Sequence, residues 1–114
     1  ISAHNNCGYC VAAHTGSAER SGVDASVVEA IRDGRDLPDA KLDALAKVCR
    51  RLIDARGWVD NADVQAFFDA GYGHRQLLDV IAGLALKTIS NYTNHIAETP
   101  LDTPLQAKAW KKAS

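Results

Sequence analysis

Apolar residues return along this chain with a helical period, and no stretch alternates with the period of two that a half-buried strand needs. The clearest case is Leu42, Leu45, Val48, Cys49, Leu52 and Ile53, which predicts a helix from about Ala40 to Ala55 with Asp39 as its cap after the Leu37-Pro38 break. Before it, Asp24 caps a helix over Ala25–Asp33 whose apolar side is Val27, Val28 and Ile31, ended by Gly34. After it, Gly57 stops the chain. Asp60 with Asp63 three residues on resembles a capping box for a short helix buried through Val64, Phe67 and Phe68. Gly71-Tyr72-Gly73 closes that helix, and the longest segment follows, from about His74 to Ala97. Leu77, Leu78, Val80, Ile81, Leu84, Ala85, Leu86 and Ile89 cover most of its circumference. Such a helix is either central and buried or shared with another subunit. The fold class is all-α.

The remaining helix opens the chain, over about Cys7 to Ser21 with Gly22 behind it. Its sequence carries Cys7, Cys10 and His14 in a CxxCxxxH arrangement. At about 100° per residue, Cys10 lies about 60° from Cys7, and His14 about 20° from Cys7 and about 40° from Cys10. Two thiols and an imidazole therefore share one face. Asn5 or Asn6 is expected as the N-cap, leaving Cys7 in a first turn whose free N–H groups and positive dipole end favour thiolate.

Composition narrows what this face can be. A chain of 114 residues, 46% apolar and 24% charged, fits one soluble domain. A net charge of −1 and a pI near 6.4 point to neither nucleic acid nor an anionic membrane as partner. No apolar run approaches the roughly 20 residues that span a bilayer. Three cysteines are too few and too odd in number for a secreted disulfide scaffold, so redox or metal chemistry in the cytoplasm is the expectation. The chain opens Ile1-Ser2-Ala3-His4 without a Met, as expected of a trimmed piece of something longer.

Three readings of the face compete. In thiol redox catalysis, one thiolate attacks a peroxide O–O bond and the sulfenic acid closes to a Cys7–Cys10 disulfide, with His14 moving the protons. In a zinc site, Cys7, Cys10 and His14 would take His4 as fourth ligand, although no second CxxC or HxxxH lies downstream. In the third, the cysteines are small core residues and His14 a satisfied polar group.

Asn6-Cys7-Gly8-Tyr9-Cys10-Val11-Ala12-Ala13-His14-Thr15 resembles the signature of AhpD-like alkylhydroperoxidases, in the carboxymuconolactone decarboxylase superfamily. Ile31-Arg32-Asp33-Gly34, Ala70-Gly71-Tyr72, Thr88 to His95 and Pro100-Leu101-Asp102 extend the likeness over most of the chain. It implies an AhpD-like helical bundle of about five helices, spanning 1–114 as one domain that lacks the family's N-terminal helix or helices. It also implies a homo-oligomer built on trimers, and peroxiredoxin-type reduction of alkyl or hydrogen peroxide at the expense of an external dithiol or protein reductant. No cofactor and no metal are called for. In the family pattern Cys10 is peroxidatic, Cys7 resolves it, and His14 belongs to a proton relay. That relay also uses a glutamate whose matching position would fall before Ile1. Glu19 is no substitute, because it points about 140° away from His14. The dipole alone would choose Cys7 as the attacking thiol, whereas an acceptor at i, i+4 favours Cys10. The superfamily's decarboxylases generally lack the CxxC pair, which argues for redox chemistry here.

Outside the motif, Cys49 is expected in the core of its helix and His74 exposed at the start of the long one. Asn91 and His95 share a face at i, i+4 and are read as serving a helix end or subunit interface, with lining of the active site as the alternative. His4 is read as a solvated turn residue, and Tyr9 as pointing off the cysteine face. Trp110 with Lys108, Lys111 and Lys112 is read as a solvated tail with one aromatic anchor, docking on a neighbouring subunit.

Overall fold

A computed structural model describes residues 1–114. It is all-helical: α1 (Gly8–Arg20), α2 (Ala25–Asp33), α3 (Ala40–Asp54), α4 (Asn61–Asp69) and α5 (His74–Ala97), then a 3₁₀ segment over Thr103–Lys108. The starts and stops are local chemistry. Asp24 and Asp39 accept from the backbone N–H of Ser26 and Leu42, each at 2.8 Å. Gly22 and Gly34 take the left-handed conformation that turns the chain out of α1 and α2.

Two caps differ from expectation. Asp60 opens α4 without a side-chain hydrogen bond, and Asp63 lies 3.5 Å from Arg51 on α3, so the capping box gives way to an ion pair between helices. At α1 neither asparagine caps. Residues 1–6 fold into a turn, closed by Asn5 N–H to Ile1 O and Cys7 N–H to Ser2 O, with Asn6 left-handed at φ 58°. Cys7 itself is the N-cap residue, and its carbonyl accepts the first helical bond, from Val11 N–H at 2.9 Å. Cys10 then occupies the third helical position, inside the first turn.

The main apolar cluster joins Val48 and Leu52 of α3 to Phe67 of α4, with Leu77, Val80 and Leu84 of α5 packed against it. A smaller one holds Val27, Ala30 and Leu37. The buried face of α1, comprising Cys10, Val11, Ala12, Thr15 and Gly16, packs on α5 and on the 3₁₀ segment. Within this chain the apolar girdle of α5 is covered on one side only: Leu78, Leu86 and Ile89 are each more than 60% exposed.

The tail is solvated only in part: Lys111 and Lys112 are exposed, but the segment before them is docked. Trp110 Nε1 donates to Arg32 O at 2.8 Å, Arg32 donates in turn to the carbonyls of Lys108 and Ala109, and Lys108 pairs with Glu19. It docks on α1 and α2 of its own chain because Arg32 and Glu19 supply the partners. The close approach requires a glycine. A Cβ on Gly8 would lie 2.9 Å from the Trp110 carbonyl oxygen.

Candidate active site

α1 and α5 meet along two stripes. Cys7, Cys10 and His14 supply one; Lys87, Ser90, Asn91 and Asn94 supply the other at i, i+3, i+4 and i+7. Cys10 pairs with Asn94 and His14 with Lys87, so a step forward on α1 is a step back on α5 and the helices run antiparallel.

Both thiols are buried and free, Cys7 at 1% and Cys10 at 5% exposure. Asn94 Nδ2 donates to Cys10 Sγ at 3.2 Å. Burial pushes the Cys10 thiol up. The polar neighbours Cys7, Asn94, Asn91 and Ser90 outweigh it and leave Cys10 below its ordinary value. Cys7 moves the other way: burial raises it, and donating to Cys10 raises it further. A shared environment thus splits two like groups into one suited to be a thiolate and one suited to stay a thiol. The free N–H groups of the first turn of α1 add to the same preference at Cys10.

Asn91 is the polar centre of the seam. Fully buried, it accepts from Asn5 Nδ2 at 3.0 Å and donates to Ser2 Oγ at 3.1 Å, tying the N-terminal turn to α5. Of the two places expected for Asn91, it takes the one beside the thiols and not the helix end or subunit interface. His95 sits apart from them, exposed and stacked on Tyr92.

No protein-family model matches this chain, and no curated protein matches it.

His14 reaches Lys87, with Nε2 and Nζ 2.7 Å apart, and its hydrogen-bond partner is neither a thiol nor a carboxylate. An ammonium can only donate, so Nε2 accepts and the ring proton resides on Nδ1. Loss of solvent around the ring lowers the His14 pKa, and the Lys87 charge lowers it further, which favours the neutral imidazole. Glu19 is engaged by Lys108, as its helical phase requires. His4 turns to α3 and bonds Asp54 Oδ1 at 2.6 Å, which pulls that carboxyl below its usual range. His4 and His14 do not converge with the two thiols, and no group of three or more His, Cys, Asp or Glu side chains is placed to share a metal ion.

Tyr9 points off the cysteine face, and its hydroxyl donates to Asp102 at 2.6 Å, fastening the segment before the 3₁₀ turn. The Asp102 carboxylate holds that phenol above its ordinary value. Cys49 is half-buried, and burial raises its thiol. Asn94, Ser90 and Lys87 are the site residues that sequence reasoning missed. The available signal was a polar stripe, four side chains in phase along a helix otherwise apolar nearly all round.

Proposed function

We propose that the chain is a thiol peroxidase of the AhpD-like kind, reducing alkyl or hydrogen peroxide through a Cys7–Cys10 dithiol/disulfide cycle. The observation that carries the reading is the Cys10 sulfur. It is buried in the first turn of α1, accepts from Asn94, and titrates below its neighbour Cys7. The Cys10 thiolate attacks one peroxide oxygen, forming an S–O bond as the O–O bond breaks. The leaving alkoxide takes up a proton in exchange for the one Cys10 released, and departs as the alcohol. The Cys7 sulfur then attacks the sulfenic acid. An S–S bond forms, the S–O bond breaks, and the hydroxyl leaves as water with the Cys7 proton. An external dithiol, protein or small molecule, returns both thiols and is itself oxidised.

In this reading His14 keeps the proton-relay role that the family pattern gives it, with its ring nitrogen bonded to Lys87 and not to a thiol. The partner His14 has in this chain is the Lys87 ammonium, which can only donate. A free dithiol suits the reducing cytoplasm. No helix is long and apolar enough to cross a membrane.

Assembly into a homo-oligomer, trimer-based as in the family, belongs to the same reading. The accessible surface is 7476 Å², against about 6,000 Å² for a folded monomer of this mass. The surplus includes Leu78, Leu86, Ile89 and Ile96 along α5.

One equivalent of hydroperoxide should consume both thiols and yield a single intramolecular Cys7–Cys10 disulfide, with turnover in excess dithiothreitol. Stoichiometric zinc held by the two cysteines in the purified protein, or thiols inert to peroxide, would contradict the reading.

A further inference from the structure

A second feature adjoins the same seam, at His14 and Lys87. A cavity of about 370 Å³ opens between α1, α2 and α5, a size at the small end for a ligand pocket. Its apolar wall is Val11, Val23, Val28 and Ile31. Val23 and Ile31 remain 41% and 43% exposed there, so the apolar wall is open at the cavity.

The charge in this cavity is one-sided. Lys87 and Arg32 both line it, and no acidic residue does. Neither cation is in an ion pair. Lys87 meets the neutral imidazole of His14, and Arg32 donates to the Thr15 hydroxyl and to the carbonyls of Lys108 and Ala109. Two uncompensated positive charges beside an apolar wall attract an anion that carries apolar surface of its own.

We propose that this cavity binds an amphiphilic monocarboxylate, with its chain against Val23, Val28 and Ile31 and its carboxylate at Lys87, in the field of Arg32. A neutral alkyl ligand would leave the two charges unpaired. The binding stands on the cavity alone. The step to a substrate class, the hydroperoxides of such acids, rests on the peroxidase reading above.

Calorimetry on the reduced protein without peroxide tests it, because no chemistry is then involved. Decanoate should bind, decan-1-ol should bind at least 10-fold more weakly, and Lys87→Glu should weaken decanoate at least 10-fold while leaving the alcohol unchanged. Should Lys87→Glu fail to fold, Lys87→Gln and the acid-to-alcohol ratio in the unaltered protein decide. Absence of decanoate binding, equal affinity for acid and alcohol, or indifference to the Lys87 substitutions overturns the proposal. Decanoate binding by a protein inert to peroxide would remove the peroxidase reading and keep the cavity's. Peroxide turnover without decanoate binding would do the reverse.

Discussion

The two halves of α5 do opposite work with the same backbone. Its first half gives Leu77, Val80 and Leu84 to a cluster centred on Val48, Leu52 and Phe67, where burial is apolar and carries no reactivity. Its second half gives Lys87, Ser90, Asn91 and Asn94 to α1, where burial is polar and every partner bears on the thiols or on His14. Apolar burial stabilises in proportion to area. A buried sulfur next to amide donors instead has its titration moved, burial raising it and the donors lowering it. One helix can therefore anchor a fold at one end and shape the surroundings of a thiol at the other.

Breaking the first half should show the larger effect on stability. Phe67 is 1% exposed and stacked on Tyr72 at 4.5 Å, so Phe67→Ala should cost about 3–5 kcal/mol in urea unfolding. The fraction that stays folded should keep the wild-type pH profile of Cys10 alkylation. A shifted profile would mean that the two halves are not independent.

Breaking the second half should move reactivity instead. Asn94→Leu removes a hydrogen bond to the thiolate, worth about 1.5–3 kcal/mol for a charged acceptor. That corresponds to a rise of about 1–2 units in the Cys10 pKa, read from iodoacetamide rates against pH. Peroxide turnover at neutral pH should fall with it, and the unfolding midpoint should move little.

Gly8 sharpens the contrast from the tail side. Gly8→Ala places a Cβ against the Trp110 carbonyl, and the overpacking should cost about 1–3 kcal/mol. Near-ultraviolet circular dichroism should report a loosened Trp110 before the helices melt.

The smallest effect concerns His14. Its folded pKa is lowered, so the unfolded chain binds its proton more readily than the native one does. Its contribution therefore favours folding above the unfolded imidazole value of about 6.5 and is lost as pH falls through the lower folded value. Lys87→Met removes the neighbouring charge and should raise the His14 pKa toward the ordinary value, seen by NMR titration of the ring. It should also move the acid limb of peroxide turnover upward.

Much of this was legible in the sequence because it is local. The bounds of α2 and α5 follow from Asp24, Gly34, Gly73 and the apolar period, and the pairing of Cys7 with Cys10 follows from helical phase. What escaped depends on contacts distant in the chain. Asn6 reads as a cap until the turn over residues 1–6 takes it left-handed and turns Asn5 toward Asn91. Trp110 reads as a free anchor until Arg32, from α2, offers it a carbonyl. Asn94 is unremarkable in sequence, since nothing local says that its amide ends at a sulfur 84 residues earlier.

The central claim is that the seam makes Cys10 the nucleophile. The most direct measurement traps the first oxidation product: Cys7→Ser and Cys10→Ser proteins are each treated with hydroperoxide and dimedone, and the adduct is located by mass spectrometry. The account predicts a sulfenic adduct on Cys10 in the first protein and none on Cys7 in the second. An adduct on Cys7 in Cys10→Ser, with Cys10 unmodified in Cys7→Ser, would contradict it.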